Sequence, residues 1–219
     1  MKHFLKPAHS FIFVGTALML TFVSSCKVAP LTIATNSKST FTIVVPKLAA
    51  VSVTAAAIEM QRDIEEATGA KLPIQKDDET TTGPYISLGS TQQAKTANIT
   101  TANLADDAFH TITKNGDLFF IGIDTTTEAL WWTSQTPGQI ILHPETPGPA
   151  YTDKGGFSSG TANGVYSFLE DQLNVRWIFP GDLGRDVPGK STFTIPDLNG
   201  TVTPAFNYRI MSVTHPGDD

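Results

Sequence analysis

The sequence predicts an α+β (mixed α/β) fold, a mixed β-sheet with two main helices packed on one face. Three observations carry that expectation. Residues 52–68 and 161–173 each hold an apolar stripe at helical spacing. Short β-rich runs bounded by Gly, Pro and Asn lie between and beyond them. Two of those runs flank Asn115-Gly116, a dipeptide suited to a tight hairpin turn, whereas others are separated by a helix.

In chain order, residues 41–45 (Phe-Thr-Ile-Val-Val) read as the first strand, ended by Pro46. Val53, Ala57, Met60, Ile64 and Ala67 then recur at steps of four and three and give the first helix its apolar face. Glu59, Arg62, Asp63 and Glu66 lie off that stripe. Gly69 stops the helix as a left-handed cap, and Leu72, Pro73 and Ile74 open an extended segment. Residues 85–88 form a strand closed by Gly89, and residues 109–113 and 118–123 form the hairpin. From 125 to 159 the chain is rich in Pro and Gly; a short helix is expected at 128–132 and a strand at 139–142. Ala162, Val165, Leu169 and Leu173, widened by Phe168, form the stripe of the second helix. Gly160 and Gly164 stand one turn apart and permit close approach to a sheet. Asn174 suits a left-handed helix end. Residues 175–179 are expected as a strand with Trp177 in the core, and residues 193–195 as a last short strand.

The ends of the 219-residue chain carry other information. Lys2, His3 and Lys6 precede an apolar run at 11–22, too short to span a bilayer comfortably, which takes about 20 apolar residues. This order fits a secretory signal. Val23-Ser24-Ser25-Cys26 follows and resembles the lipobox of bacterial lipoproteins, in which the chain is cut before the Cys and lipid is joined to it. Cys26 is the only cysteine, so an internal disulfide is excluded. Residues 1–25 are therefore expected to be a signal peptide, 26–40 a flexible Ser/Thr-rich tether, and the mature protein a lipid-anchored chain on the outer side of a bacterial membrane. Loss of Lys2 and Lys6 takes the net charge from −6 to −8. An acidic chain without a basic cluster argues against nucleic-acid binding.

The longest pattern is local. It runs from Gly160 through Gly164, Phe168 and Leu173 to Val175-Arg176-Trp177-Ile178-Phe179-Pro180-Gly181. It resembles the end of the N-terminal domain of α-glucuronidase-type glycoside hydrolases and, more distantly, the second domain of chitobiases and β-hexosaminidases. Residues 55–74 resemble that domain's first helix and following strand, and 86–90 its next strand and turn. The resemblance covers about residues 41–209. It implies a non-catalytic domain at 41–203 that precedes a catalytic barrel, with 204–219 as the start of that barrel. It further implies an O-glycosyl hydrolase acting on polysaccharide or oligosaccharide, with no cofactor in this segment. The relatives' entry strand continues Asn-His-Trp-Asp, whereas this chain reads Thr214-His215-Pro216-Gly217-Asp218. No substrate residue is therefore carried over.

Signals for other chemistries are weaker. Gly156-Phe157-Ser158-Ser159-Gly160 matches a nucleophile elbow, and Asp186 and His215 follow in the order a serine esterase would use. The residues before it are polar and turn-forming rather than a buried strand, so a Gly/Ser loop entering a helix is the plainer reading. Gly160-Thr161 lacks the Lys of a phosphate loop. Carboxylate neighbours at 65–66, 77–79, 106–107 and 218–219 are adjacent in sequence and read as solvated surface, since glycoside hydrolysis needs two facing carboxyls. His110, His143 and His215 are isolated, and His143-Pro144-Glu145 lacks a third metal ligand. Trp131 and Trp132 are the candidates for stacking on a sugar ring. A stand-alone glycan-binding lipoprotein is the alternative to the accessory domain.

Overall fold

The computed structural model describes residues 30–81, 83–125, 158–179 and 181–205. The expected helix at 128–132, the expected strand at 139–142, Cys26, Trp131, Trp132 and His215 lie outside them.

The main sheet has six strands. They are β2 (Thr42–Val45), β3 (Ile74–Lys76), β4 (Tyr85–Leu88), β5 (Phe109–Lys114), β6 (Asp117–Gly122) and β10 (Asn199–Val202), in the order β10-β5-β6-β4-β2-β3. β3, β2, β4 and β6 are parallel; β5 and β10 run the other way. The sheet is mixed, as expected. Asn115 and Gly116 both take positive φ, 56° and 89°, and turn β5 into β6.

Helices α1 (Val51–Thr68) and α3 (Gly160–Phe168) share one face of this sheet. Strand alternation decides which side chains meet them. Ile43, Val45, Ile86, Leu88, Leu118 and Phe120 point to the helices and join Met60, Ile64, Val165 and Phe168 in the main core. Phe119 and Ile121 point to the other face and pack with Ala94 of a short helix α2 (Gln92–Thr96) and with Ile99. Gly69 ends α1 at φ 74°, its N–H donating to the Glu65 carbonyl. α3 continues as a π-helical turn, Leu169–Leu173, and Asn174 closes it at φ 64°. The second helix thus spans its expected length with a change of hydrogen-bond pitch after Phe168.

Three expectations need correction. Residues 31–40 are not a tether: Leu31–Thr35 is a strand, β1, paired antiparallel with β9 (Thr192–Ile195). Ile33, Ala34, Phe193 and Ile195 of this ribbon belong to the main core, and Phe168 packs its ring between Phe120 and Phe193. Alternation of Leu31, Ile33 and Thr35 was the available signal. The strand expected at 175–179 shrinks to β7 (Arg176–Trp177), a two-residue hairpin arm against β8 (Arg185–Asp186). Trp177 is half-buried beside the core, edge-on to Tyr166, and Phe179 is exposed. Asp63, which lies off the apolar stripe, is nonetheless fully buried.

Candidate functional site

The parallel strands end on one side in connections that enclose a crevice of about 290 Å³. In open sheets with parallel strands, this is the side on which ligands are usually bound. Pro46, Leu48, Ala50 and Val53 line it from the β2–α1 connection and α1; Ser90 follows β4, and Gly122, Ile123 and Asp124 end β6.

Its polar rim is built around the start of α3. β6 and α3 meet glycine to glycine: a Cβ on Gly122 would stand 2.6 Å from the Gly160 Cα, and a Cβ on Gly160 would stand 2.4 Å from the Ala108 carbonyl. This approach brings Thr161 under Asp124. The Thr161 N–H donates to Asp124 Oδ1 at 3.0 Å and its hydroxyl to Oδ2 at 2.6 Å, while Gly122 N–H donates to Thr161 Oγ1 at 3.0 Å. Burial pushes the Asp124 carboxyl up to about 6, against the pull of the two Thr161 bonds and with a further push from Asp107.

Ser158 is the second pin. Only 3% of it is exposed. Its hydroxyl donates to the Ile123 carbonyl at 2.6 Å and accepts from the Asp107 N–H at 2.8 Å. Asp107 Oδ1 in turn accepts from Ser159 N–H. Ser158 Oγ is thus engaged as both donor and acceptor inside the fold, and it does not meet Asp186, which is exposed on β8 opposite Arg176. The third esterase candidate, His215, lies outside the described residues, as do the sugar-stacking candidates Trp131 and Trp132 and the lipidation candidate Cys26.

The carboxylates read from sequence as solvated surface are in part structural. Asp77 accepts the Lys47 N–H with one oxygen and the Gln92 N–H with the other, tying the β2–α1 connection to the start of α2. Asp117 accepts the Tyr85 N–H. Aspartates at strand ends readily accept main-chain N–H groups, a signal present in the sequence at 77, 117 and 124. Among the described residues, no group of three His, Cys, Asp or Glu is placed to hold a metal ion.

A second polar cluster holds the β7–β8 hairpin. Arg185 is ion-paired with Asp63 and Glu66 of α1, and Arg62 with Glu59 and Asp63. Burial raises the Asp63 carboxyl against the pull of Arg185 and Arg62. It also pushes the neighbouring Tyr166 phenol up to about 12, helped by Glu59 and Asp63. Above this ionic pin the hairpin leaves Ile178 74%, Phe179 54% and Leu183 94% exposed.

No family model matches the chain, and no curated protein matches it. Among solved structures it is similar to a family GH115 4-O-methyl-α-glucuronidase with specificity for decorated arabinogalactans. That alignment has 16% sequence identity and a TM-score of 0.43, and covers 77% of this chain and 18% of the glucuronidase, so the chain spans under a fifth of that enzyme's length.

Proposed function

We propose that residues 31–203 form a non-catalytic accessory module of a bacterial, membrane-anchored carbohydrate-active lipoprotein. In this reading Cys26 carries the lipid, residues 204–219 lead into a barrel, and the barrel performs glycoside hydrolysis on a polysaccharide or oligosaccharide. The observation that carries the reading is the β7–β8 hairpin. Three large apolar side chains stand in solvent on a short loop that buried charges hold in place. Exposed apolar groups fixed this way suit a surface that another domain covers. The crevice chemistry agrees: both oxygens of Asp124 and the hydroxyl of Ser158 are spent on the chain's own hydrogen bonds. Facing carboxyls for glycoside hydrolysis would have to stand free, about 5–9.5 Å apart.

The test compares the 219-residue chain with its full reading frame. The 219-residue chain should turn over neither aryl glycosides nor aryl esters, and Leu183→Asp should leave its thermal unfolding unchanged. In the longer protein the same substitution should uncouple the unfolding of this module from that of its neighbour. A stop codon directly after codon 219, or glycoside turnover by the purified short chain, overturns the proposal. The crevice favours a second reading, a stand-alone glycan binder with sugar resting on the exposed Leu48 at its rim. Equilibrium dialysis with oligosaccharides, compared between the native chain and Leu48→Asp, tests it.

A further inference from the structure

We infer that the domain lies directly against the bilayer on one defined face, the end at which the parallel strands begin, and holds its crevice away from the lipid. The inference rests on the reading of Cys26 as the lipidated residue and adds to it a docking surface and an orientation.

The first argument is chain length. Five residue steps separate Cys26 from Leu31, where β1 begins. A fully extended chain covers at most about 3.6 Å per residue, so Leu31 stands within about 18 Å of the lipid-bearing residue whatever the intervening conformation. β1 cannot peel away to lengthen this reach. Four of its residues are registered on β9, and Ile33 and Ala34 are buried in the main core.

The second argument is topology. The β1–β9 ribbon crosses the end of the fold where the parallel strands start. Near Leu31, Ile195 is followed by Asp197 and Leu198, which hydrogen-bond Thr113 beside the Asn115-Gly116 turn. At the other end of the ribbon, Asn36 bonds to Ser191, and Ser37 lies against Gly69 at the end of α1. The crevice stands at the opposite end, beyond the carboxyl ends of β2, β4 and β6. β10 also finishes there, with Val202 beside Phe109 and Gly122. β6 alone separates the two ends by six residues, about 20 Å at the rise of a strand.

The third argument is charge. The crevice end carries Asp77, Asp78, Glu79, Asp106, Asp107 and Asp124, with Lys47 and Lys76 as local counter-charges. The ribbon end carries Lys38, Lys71, Lys114 and Lys190, balanced by Glu65, Asp117, Asp197 and Asp171, the last two lining one recess. An anionic headgroup layer repels the first end and tolerates the second. Tether and field therefore select the same orientation.

The test uses the lipidated chain in vesicles of phosphatidylethanolamine and phosphatidylglycerol. Cys26 is the sole native cysteine, so a second cysteine can be labelled alone once Cys26 is acylated. Lys114→Cys reports the ribbon end and Glu79→Cys the crevice end, each read by fluorescence quenching from headgroup-labelled lipid. The Lys114→Cys label should be quenched several-fold more strongly. Inserting roughly fifteen Gly/Ser residues after Val28 should abolish that difference, because a flexible linker of that length frees the orientation. Equal quenching at both sites on a chain whose Cys26 is shown by mass to be acylated overturns the orientation and leaves the anchor standing. A mass without lipid overturns both.

Discussion

Asp124 is placed where two electrostatic effects oppose each other, and replacing it by Asn separates them. Its position at the start of α3 favours a charged carboxylate, through the helix dipole and the two Thr161 donors. Its burial beside Gly89 and Pro46 favours the neutral acid. Burial wins and holds the carboxyl at about 6, against about 3.9 for a free aspartate. A carboxyl that holds its proton more tightly in the fold stabilises the folded state below about pH 4, and that contribution is lost as the pH rises through about 6. Two factors of ten in proton affinity, at about 1.4 kcal/mol each, set a ceiling of about 3 kcal/mol. Asn keeps an acceptor for Thr161 and cannot ionise. The difference in unfolding free energy between Asp124→Asn and the native chain should therefore move in favour of Asn by about 2 kcal/mol between pH 4 and pH 7. Urea denaturation at four pH values measures it, and subtracting the two proteins removes the titration of every other group. A difference that is flat with pH, or that moves in favour of the native Asp, would refute the reasoning and make Asp124 an ionised helix cap.

Three further outcomes follow from the packing. Gly122→Ala drives a methyl group into the backbone of Gly160 and Thr161. No side chain there can rotate away, so the cost should reach about 3 kcal/mol, the upper part of the range for overpacking, read from the urea midpoint. Arg185→Met removes the main counter-charge of the buried Asp63; the loss should be about 3 kcal/mol, with proteolytic cleavage appearing first in 178–184. Ser158→Ala leaves the Asp107 N–H and the Ile123 carbonyl without their hydroxyl partner. It should cost about 1–3 kcal/mol in stability and leave any ester hydrolysis in the preparation unchanged.

What could be read from the sequence followed how local each cause was. α1 and the β5–β6 hairpin are written in stripes and in Gly69, Asn115 and Gly116, whose effects reach only a few residues. β1 escaped because its partner β9 lies some 160 residues away and its Thr-rich face resembles a linker. β10 escaped because Asn199, Gly200, Thr201 and Val202 are all exposed on an edge, where little apolar patterning is required. The strand at 175–179 was overextended because Ile178 and Phe179 are apolar and β-prone yet stand in solvent. The crevice rim was the least legible part. Asp107 meets Ser159 and Asp124 meets Thr161 across 52 and 37 positions, and no short motif encodes either pair.

The Gly-x-Ser-x-Gly match shows how one spacing can serve two different physical needs. A nucleophile elbow uses its glycines to hold a serine on a strained turn with its hydroxyl outward. In this chain Gly160 is required by closeness to the sheet, since any Cβ there would meet the Ala108 carbonyl and the Gly122 Cα. Ser158, two residues earlier, is required as a bridge between the end of β6 and the turn before β5, and its hydroxyl points inward. Helix α3 must start beside β6 for Val165 and Phe168 to reach the core, and Thr161 and Asp124 fix that start. Ser158 and Gly160 are thus accounted for by the joining of a helix to a sheet. A hydroxyl that acted on substrate would have to surrender both of those bonds and the fold's hold on the loop with them.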